Sequence, residues 1–419
     1  MTDLASPLRL PSGATLPNRI AKSAMSEVLG DPTTGAPTPQ LDRLYERWGA
    51  GGAGLLITGH VIVDPDGRGE PGNVVVTDRQ HLAALTRWAA AAQRHGARLW
   101  MQLNHAGRQA PRRLTRQPVA PSPIAVRGFA GAFARPRALT DAEIRALIER
   151  FATAAAVAKE AGFAGVQLHA AHGYLISQFL SARTNQRDDA WGGDATRRQQ
   201  FLLAIVRAVR AAVGPAFPVG VKLNSADFQR GGFTIEEAMD VARALEAAGV
   251  DLLEISGGNY ERPAMAGNGE LPRVERATSR EREAYFLDYA RQIRAVTTLP
   301  LMLTGGMRTR ATMQAVIGAG DVDVVGLARP LTVAPSLPAD LLAGRVDGAP
   351  VVTIRSRVRR LDDALQVFWY QEQLHRIARG EEPDLRLGAF GALWRGLRAT
   401  MLPVGRAAPI AAAAPAVPA

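Results

Sequence analysis

The chain contains no cysteine. That single absence excludes disulfides, thiolate zinc sites, cysteine-ligated iron–sulfur clusters and a thiol nucleophile. Lysine is nearly absent too, occurring only at Lys22, Lys159 and Lys222, so arginine supplies almost all of the formal net charge of +11. No apolar stretch reaches the roughly 18 residues of a membrane span. The opening "MTDLASPLRL" shows no charged-plus-apolar leader, so a cytoplasmic protein without stable membrane insertion is expected. Aromatic residues make up only 6%, and the basic residues are spread along the whole length rather than gathered in a run. This pattern points to a solvated basic surface and argues against a nucleic-acid partner.

What is present is a regular alternation. Apolar or β-branched runs at 19–25, 54–63, 97–103, 165–170, 218–224, 251–256, 300–306 and 322–328 read as strands, separated by segments of helical period. The clearest helix runs over 140–161, with Thr140 as N-cap, Glu143 three places on and Gly162 as terminator, the signature of a capping box. Others are expected near 78–94, 196–213, 234–248, 279–297 and 309–318. Eight apolar strands alternating with helices predict an α/β fold, a closed (β/α)₈ TIM barrel, in preference to an open doubly wound sheet. The stretch before the first strand reads as an N-terminal hairpin around Ser12-Gly13 that closes the lower face of the barrel. The barrel pattern covers 1–345. A C-terminal helical extension follows over 346–403, packing against the barrel or a second copy of the chain, and 404–419 is a low-complexity Ala/Pro tail expected to be disordered.

Barrel enzymes place their chemistry at the C-terminal ends of the strands. Here those ends carry Ser26, Thr58, His60, Gln102, Asn104, His105, His169, His172, Lys222, Asn224 and Arg329, including four of the seven histidines. Glycines in "LTGGMRTRAT" after the seventh strand, with Ala328-Arg329 after the eighth, suit a phosphate group held on amides and a guanidinium. The His169/His172 pair also has the form of a metal motif. No third ligand stands at an obvious spacing, so no metal is expected.

The segments "NRIAKSAMS", "GAGLLIT", "QLNHAGRQ", "APSPIAV", "FAGVQLHAAHGYLISQFLSARTNQRDDAWGG", "GGFT" and "VGLARPL" together resemble the Old Yellow Enzyme family over about residues 5 to 345. The resemblance implies bound FMN, NADPH or NADH as hydride donor, and a small activated alkene as acceptor. It implies that His169 and His172 hydrogen-bond the substrate's carbonyl or nitro oxygen, that hydride reaches the β-carbon from flavin N5, and that Tyr174 gives the proton to the α-carbon. A phenol holds its proton at pH 7 yet can deliver it to an enolate-like centre. By the same matching, Ala24, Met25 and Gly59 pack near the isoalloxazine and Gln102 pairs with its pyrimidine edge. Gly305, Gly306, Ala328 and Arg329 cradle the phosphate.

Two positions depart from the family. Lys222 stands where an arginine usually flanks flavin N1 and O2, as a compact charge for the reduced flavin or as an ordinary salt-bridged lysine. Ser26 stands where cysteine or threonine is usual near N5, which leaves a hydroxyl and no redox-sensitive thiol. Arg108, Arg112, Arg113 and Arg116, in the long connection at 104–139, either read a nicotinamide phosphate or form a solvated loop. Two other readings stay open: a non-catalytic barrel binding FMN or a phosphorylated ligand, and an aldolase using Lys222 as a Schiff base.

Overall fold

The computed structural model describes residues 2–127, 131–257, 279–350, 352, 354 and 362–400; the expected Ala/Pro tail at 404–419 lies outside the described residues. Eight strands form the barrel: β1 Ile20–Lys22, β2 Leu55–Ile62, β3 Arg98–Asn104, β4 Gly165–Ala170, β5 Val219–Asn224, β6 Leu252–Ser256, β7 Leu301–Thr304 and β8 Val324–Leu327. Each pairs in parallel with its neighbours, β8 pairs with β1, and the β1–β2 pairing closes the ring. Every strand falls inside the range read from the sequence, except for Asn104 at the end of β3, because a parallel strand buried on both faces is an apolar run bounded by helix signals.

Helices follow the strands on the outside: α1 Pro39–Ala50, α2 Leu82–Gln93, α3 Asp141–Glu160, α4 Gln200–Val213, α5 Ile235–Ala247, α6 Ser279–Arg294 and α7 Arg310–Gly318. The predicted capping box at Thr140 forms in full, and an equivalent one opens α5 at Thr234. The helix expected over 196–213 is interrupted. Asp194 caps a turn at Ala195–Arg198, and Gln199 leads separately into α4. Arg198 explains the break: it bonds back to the Leu180 carbonyl and pairs with Glu237, turning the chain before α4 begins.

The inward-facing side chains change character with height, as the two-residue strand period requires. At the bottom, the hairpin Leu8–Arg9/Thr15–Leu16 turns through Gly13 at φ 87° and packs Leu8, Leu10 and Leu16 against Ala21, Leu55, Ile57, Trp100 and Leu252. Trp100 fills the centre. A Cβ at Gly165 or Gly220 would sit 2.6 Å and 2.7 Å from its indole, so both positions need glycine. Above that apolar floor lies a belt of Ser23, Gln102, Gln167, Glu254 and Thr304, and above the belt lie Asn104, His169, Asn224 and Ser256.

Beyond β8, short helices at Pro330–Val333 and Leu337–Leu342 lead toward α8 Asp362–Ala378 and α9 Ala389–Thr400. Helix α8 packs on α1 and on Pro330–Val333. It is fastened there by Arg43 Nε donating to the Ala378 carbonyl at 2.8 Å and by His375 Nε2 against the Glu27 carbonyl at 2.8 Å.

Candidate active site

The polar belt is a continuous hydrogen-bonded chain. Gln102 Nε2 donates to Gln167 Oε1 at 2.8 Å, and Gln167 Nε2 donates to Glu254 Oε2 at 2.7 Å. Glu254 Oε1 accepts from Thr304 Oγ1 at 2.6 Å and pairs with Lys222 Nζ at 3.0 Å, while Thr304 and Ser23 hydroxyls meet at 2.8 Å. Gln102, Gln167 and Glu254 are fully buried. Buried polar groups of this kind need partners, yet Gln102 Oε1 has none among the described residues, and neither does Asn104 Oδ1 above it.

Four aromatic rings meet at the top of β2 and β4. Tyr174 stands edge-on to His169 at 4.9 Å and to His60 at 4.7 Å between centroids, and His169 lies 5.0 Å from His172. His60 reaches this group because the β2–β3 register shifts between Ile57 and His60, a bulge that turns the side chain inward. The sequence leaves its direction undecided; it faces the histidines. The Ala171 amide donates to His169 Nδ1 at 3.2 Å, so a neutral His169 carries its proton on Nε2. His172 adopts φ 60°, a region that non-glycine residues rarely enter. It is held there by its amide on Asn224 Oδ1 at 3.2 Å and by Nε2 against Ser256 Oγ at 2.8 Å.

Burial, reinforced by the charge of Lys222, keeps these rings neutral. His60 is lowered to about 3. His169 and His172 are held well below the ordinary value, with burial the largest cause in each. The unfolded chain protonates histidine near pH 6.5. The stability these groups carry is therefore complete above about 6.5 and is lost as pH falls from there toward about 3. The urea midpoint is expected to fall between pH 7.5 and pH 5, and to fall less in a His60→Gln variant; an equal fall in both proteins would contradict the assignment.

Near the end of β1, Ser26 donates to the Glu70 carboxylate, which Asn73 Nδ2 also contacts at 3.1 Å. Burial pushes Glu70 up, with Glu27 adding to the rise. The Glu27 carboxylate accepts from the Gly59 amide at 2.8 Å and from Tyr45. A Cβ on Gly59 would collide with Glu27 Oε2 and the Met25 carbonyl, which explains the glycine. Lys22, fully buried between α1 and β1, lies 4.5 Å from the Trp48 ring and 3.6 Å from Glu27; burial lowers its ammonium to about 8. Lys22, Glu27, Glu70 and Gln167 are absent from the residues singled out by sequence. For Lys22, a lysine inside the apolar run "RIAKSAM" was the available signal.

After β7, Gly305 and Gly306 adopt φ 108° and 80°, open to glycine, and β8 ends beside them at Ala328-Arg329. The Arg329 guanidinium lies 5.8 Å from the ring of Tyr370, contributed by α8. Burial raises the Tyr370 hydroxyl while the charges of Arg329 and Arg308 oppose the rise, so both arginines converge on this corner. Ala24, Met25, Ser26, Ala328 and Arg329 are each half-buried at strand ends. In the long connection, Arg108 is buried and its Nη1 donates to the Ala125 carbonyl at 3.2 Å, so it is part of the packing; Arg112, Arg113 and Arg116 are exposed.

These features fit FMN on the structure's own terms. An orphaned buried acceptor stands at Gln102 Oε1, and a left-handed Gly-Gly turn lies next to two arginines. The comparisons agree. The profile of the NADH:flavin oxidoreductase / NADH oxidase family matches residues 3–347. An NADH-dependent flavin oxidoreductase, iliE, of Hypocrea jecorina is 40% identical over 359 residues, covering 80% of this chain and 88% of that protein. The NADH oxidase of Thermoanaerobacter brockii is 36% identical, and the match spans 78% of this chain and 49% of the larger relative. Among solved structures, morphinone reductase superposes with a TM-score of 0.69 at 26% identity, covering 86% of this chain and 96% of that one. The Old Yellow Enzyme homologue from Zymomonas mobilis gives 0.70 at 26%, covering 86% and 98%. A matched profile over most of the chain, on a closed barrel with these strand ends, makes this chain a member of the NADH:flavin oxidoreductase / NADH oxidase family, an FMN- and nicotinamide-dependent oxidoreductase of Old Yellow Enzyme type.

Proposed function

We propose that the protein is an ene-reductase that takes electrons from NADH and saturates an activated alkene, an α,β-unsaturated carbonyl compound or a nitroalkene. The observation that carries this reading is the meeting of one phenol with neutral imidazoles at the top of the barrel. FMN, when bound, supplies the two-electron hydride chemistry between nicotinamide and substrate. The residues to hold it are Gln102 at the pyrimidine edge, Lys222 as the nearby cation, Ala24, Met25 and Gly59 against the ring, and Ser26 toward its reactive edge. Gly305, Gly306, Ala328 and Arg329 serve the phosphate.

The chain's own contribution to catalysis is orientation and proton delivery. His169, with its proton fixed on Nε2, donates to the carbonyl or nitro oxygen, and His172 supplies the second donor. Together they draw charge from the alkene's β-carbon, which gains the hydride. Two neutral donors suit an oxygen that becomes anionic, because they are aimed in advance and lie where water is scarce. Tyr174 gives its proton to the α-carbon and recovers one from solvent, so the alkene gains two hydrogens overall. Lys222 is paired with Glu254 at 3.0 Å. A Schiff-base lysine must be a neutral nucleophile, so the pairing argues against an aldolase. The relatives from Hypocrea jecorina and Thermoanaerobacter brockii are both named for NADH, which favours NADH over NADPH here.

The test is anaerobic. Protein loaded with FMN should lose its visible flavin band on addition of NADH, and cyclohexenone or a nitroalkene should restore it with formation of the saturated product. If only oxygen restores the band and every activated alkene fails, the protein is an NADH oxidase and the ene-reductase reading falls.

A further inference from the structure

Glu254 is a fully buried carboxylate in the middle of an apolar strand, and the reaction proposed above makes no direct use of it. A carboxylate so placed must be compensated by its neighbours. It stands opposite Lys222 in the β5–β6 register and accepts from Lys222, Thr304 and Gln167. The consequences travel along the belt. A carboxylate only accepts, so Gln167 must turn its amide nitrogen toward it and its oxygen toward Gln102. Gln102 must then turn its own nitrogen to Gln167, and its Oε1 is left without a partner among the described residues. Lys222, meanwhile, is close enough to the pocket for its charge to act on His60, His169 and His172.

We propose that Glu254 is the positioning residue of the flavin site: it fixes Lys222, sets through Gln167 which end of the Gln102 amide meets the cofactor, and offsets the lysine charge, so that the ion pair poises the reduction potential. The inference rests on the placement of Lys222 and Gln102 beside the pyrimidine ring proposed above. An isolated cation at that point favours the reduced, anionic flavin, and a paired one favours it less.

The experiment is a charge cycle on the FMN-loaded protein, read as the flavin potential by equilibration with a reference dye. Glu254→Gln should shift the equilibrium toward reduced flavin by about tenfold, equivalent to about 30 mV for a two-electron couple. Lys222→Met should shift it the opposite way. The double variant removes both charges and leaves no buried ion unpaired, so it stands as the test if either single variant fails to fold; it should lie within about threefold of the unsubstituted protein. Shifts of the same sign in both singles, no shift in Glu254→Gln, or a double variant displaced by tenfold or more would overturn the inference while leaving the flavin site intact. An unsubstituted protein that takes up no FMN would overturn the site assignment and the inference together.

Discussion

Replacing Tyr174 by phenylalanine is expected to lower turnover of cyclohexenone by about 10²–10⁴-fold, the usual contribution of a positioned general acid, while NADH still bleaches the flavin. The substitution keeps the ring. The edge-on packing against His169 and His60 therefore survives, and with it the roughly 0.5–1.5 kcal/mol that such contacts provide. On the proposed mechanism the loss then falls chiefly on proton delivery. Steady-state turnover at saturating NADH, set beside a single-turnover reduction trace, separates the two half-reactions. Full turnover in the variant would move the proton source to water or to a histidine.

Trp369→Ala is expected to cost about 3–5 kcal/mol of stability, as large aromatic deletions from a core do, and to weaken FMN retention as well. Trp369 is fully buried in α8, its indole donates to the Leu387 carbonyl at 2.9 Å, and it stands edge-on to Tyr370 at 5.1 Å. The same helix carries Tyr370 to Arg329 and His375 to the Glu27 carbonyl, so a cavity there loosens two loops of the site at once. The urea midpoint reports the first effect and titration of the apoprotein with FMN reports the second. An unchanged FMN affinity at a lowered midpoint would confine the extension to a structural role.

The strands were legible because each is an apolar run whose composition reflects burial on both faces; "GVQLHA" occupies Gly165–Ala170 without an error at either end. Helix α1 was not among the helices read from the sequence, although Leu41, Leu44, Tyr45 and Trp48 after a Thr-Pro start carry the helical spacing that marks it. The histidine–tyrosine group could be read because His169, His172 and Tyr174 are neighbours in sequence. Glu254 and its bonds to Gln167 and Thr304 could not, although Lys222 itself was read. Gln167 is 87 positions away, Thr304 is 50, and only the register of closed strands brings them to one height. Tyr370 was hidden for the same reason: nothing local in "QVFWYQEQ" says that its ring will meet Arg329.

The docking of α8 also imposes an order on biosynthesis. Chains emerge N-terminus first and fold as they appear. All eight strands have been made by Leu327, but the groups that fasten the β1 and β8 loops, His375 and Tyr370, come out of the ribosome later. In a nascent chain the loops after β1 and β8 therefore lack these contacts until α8 has been made.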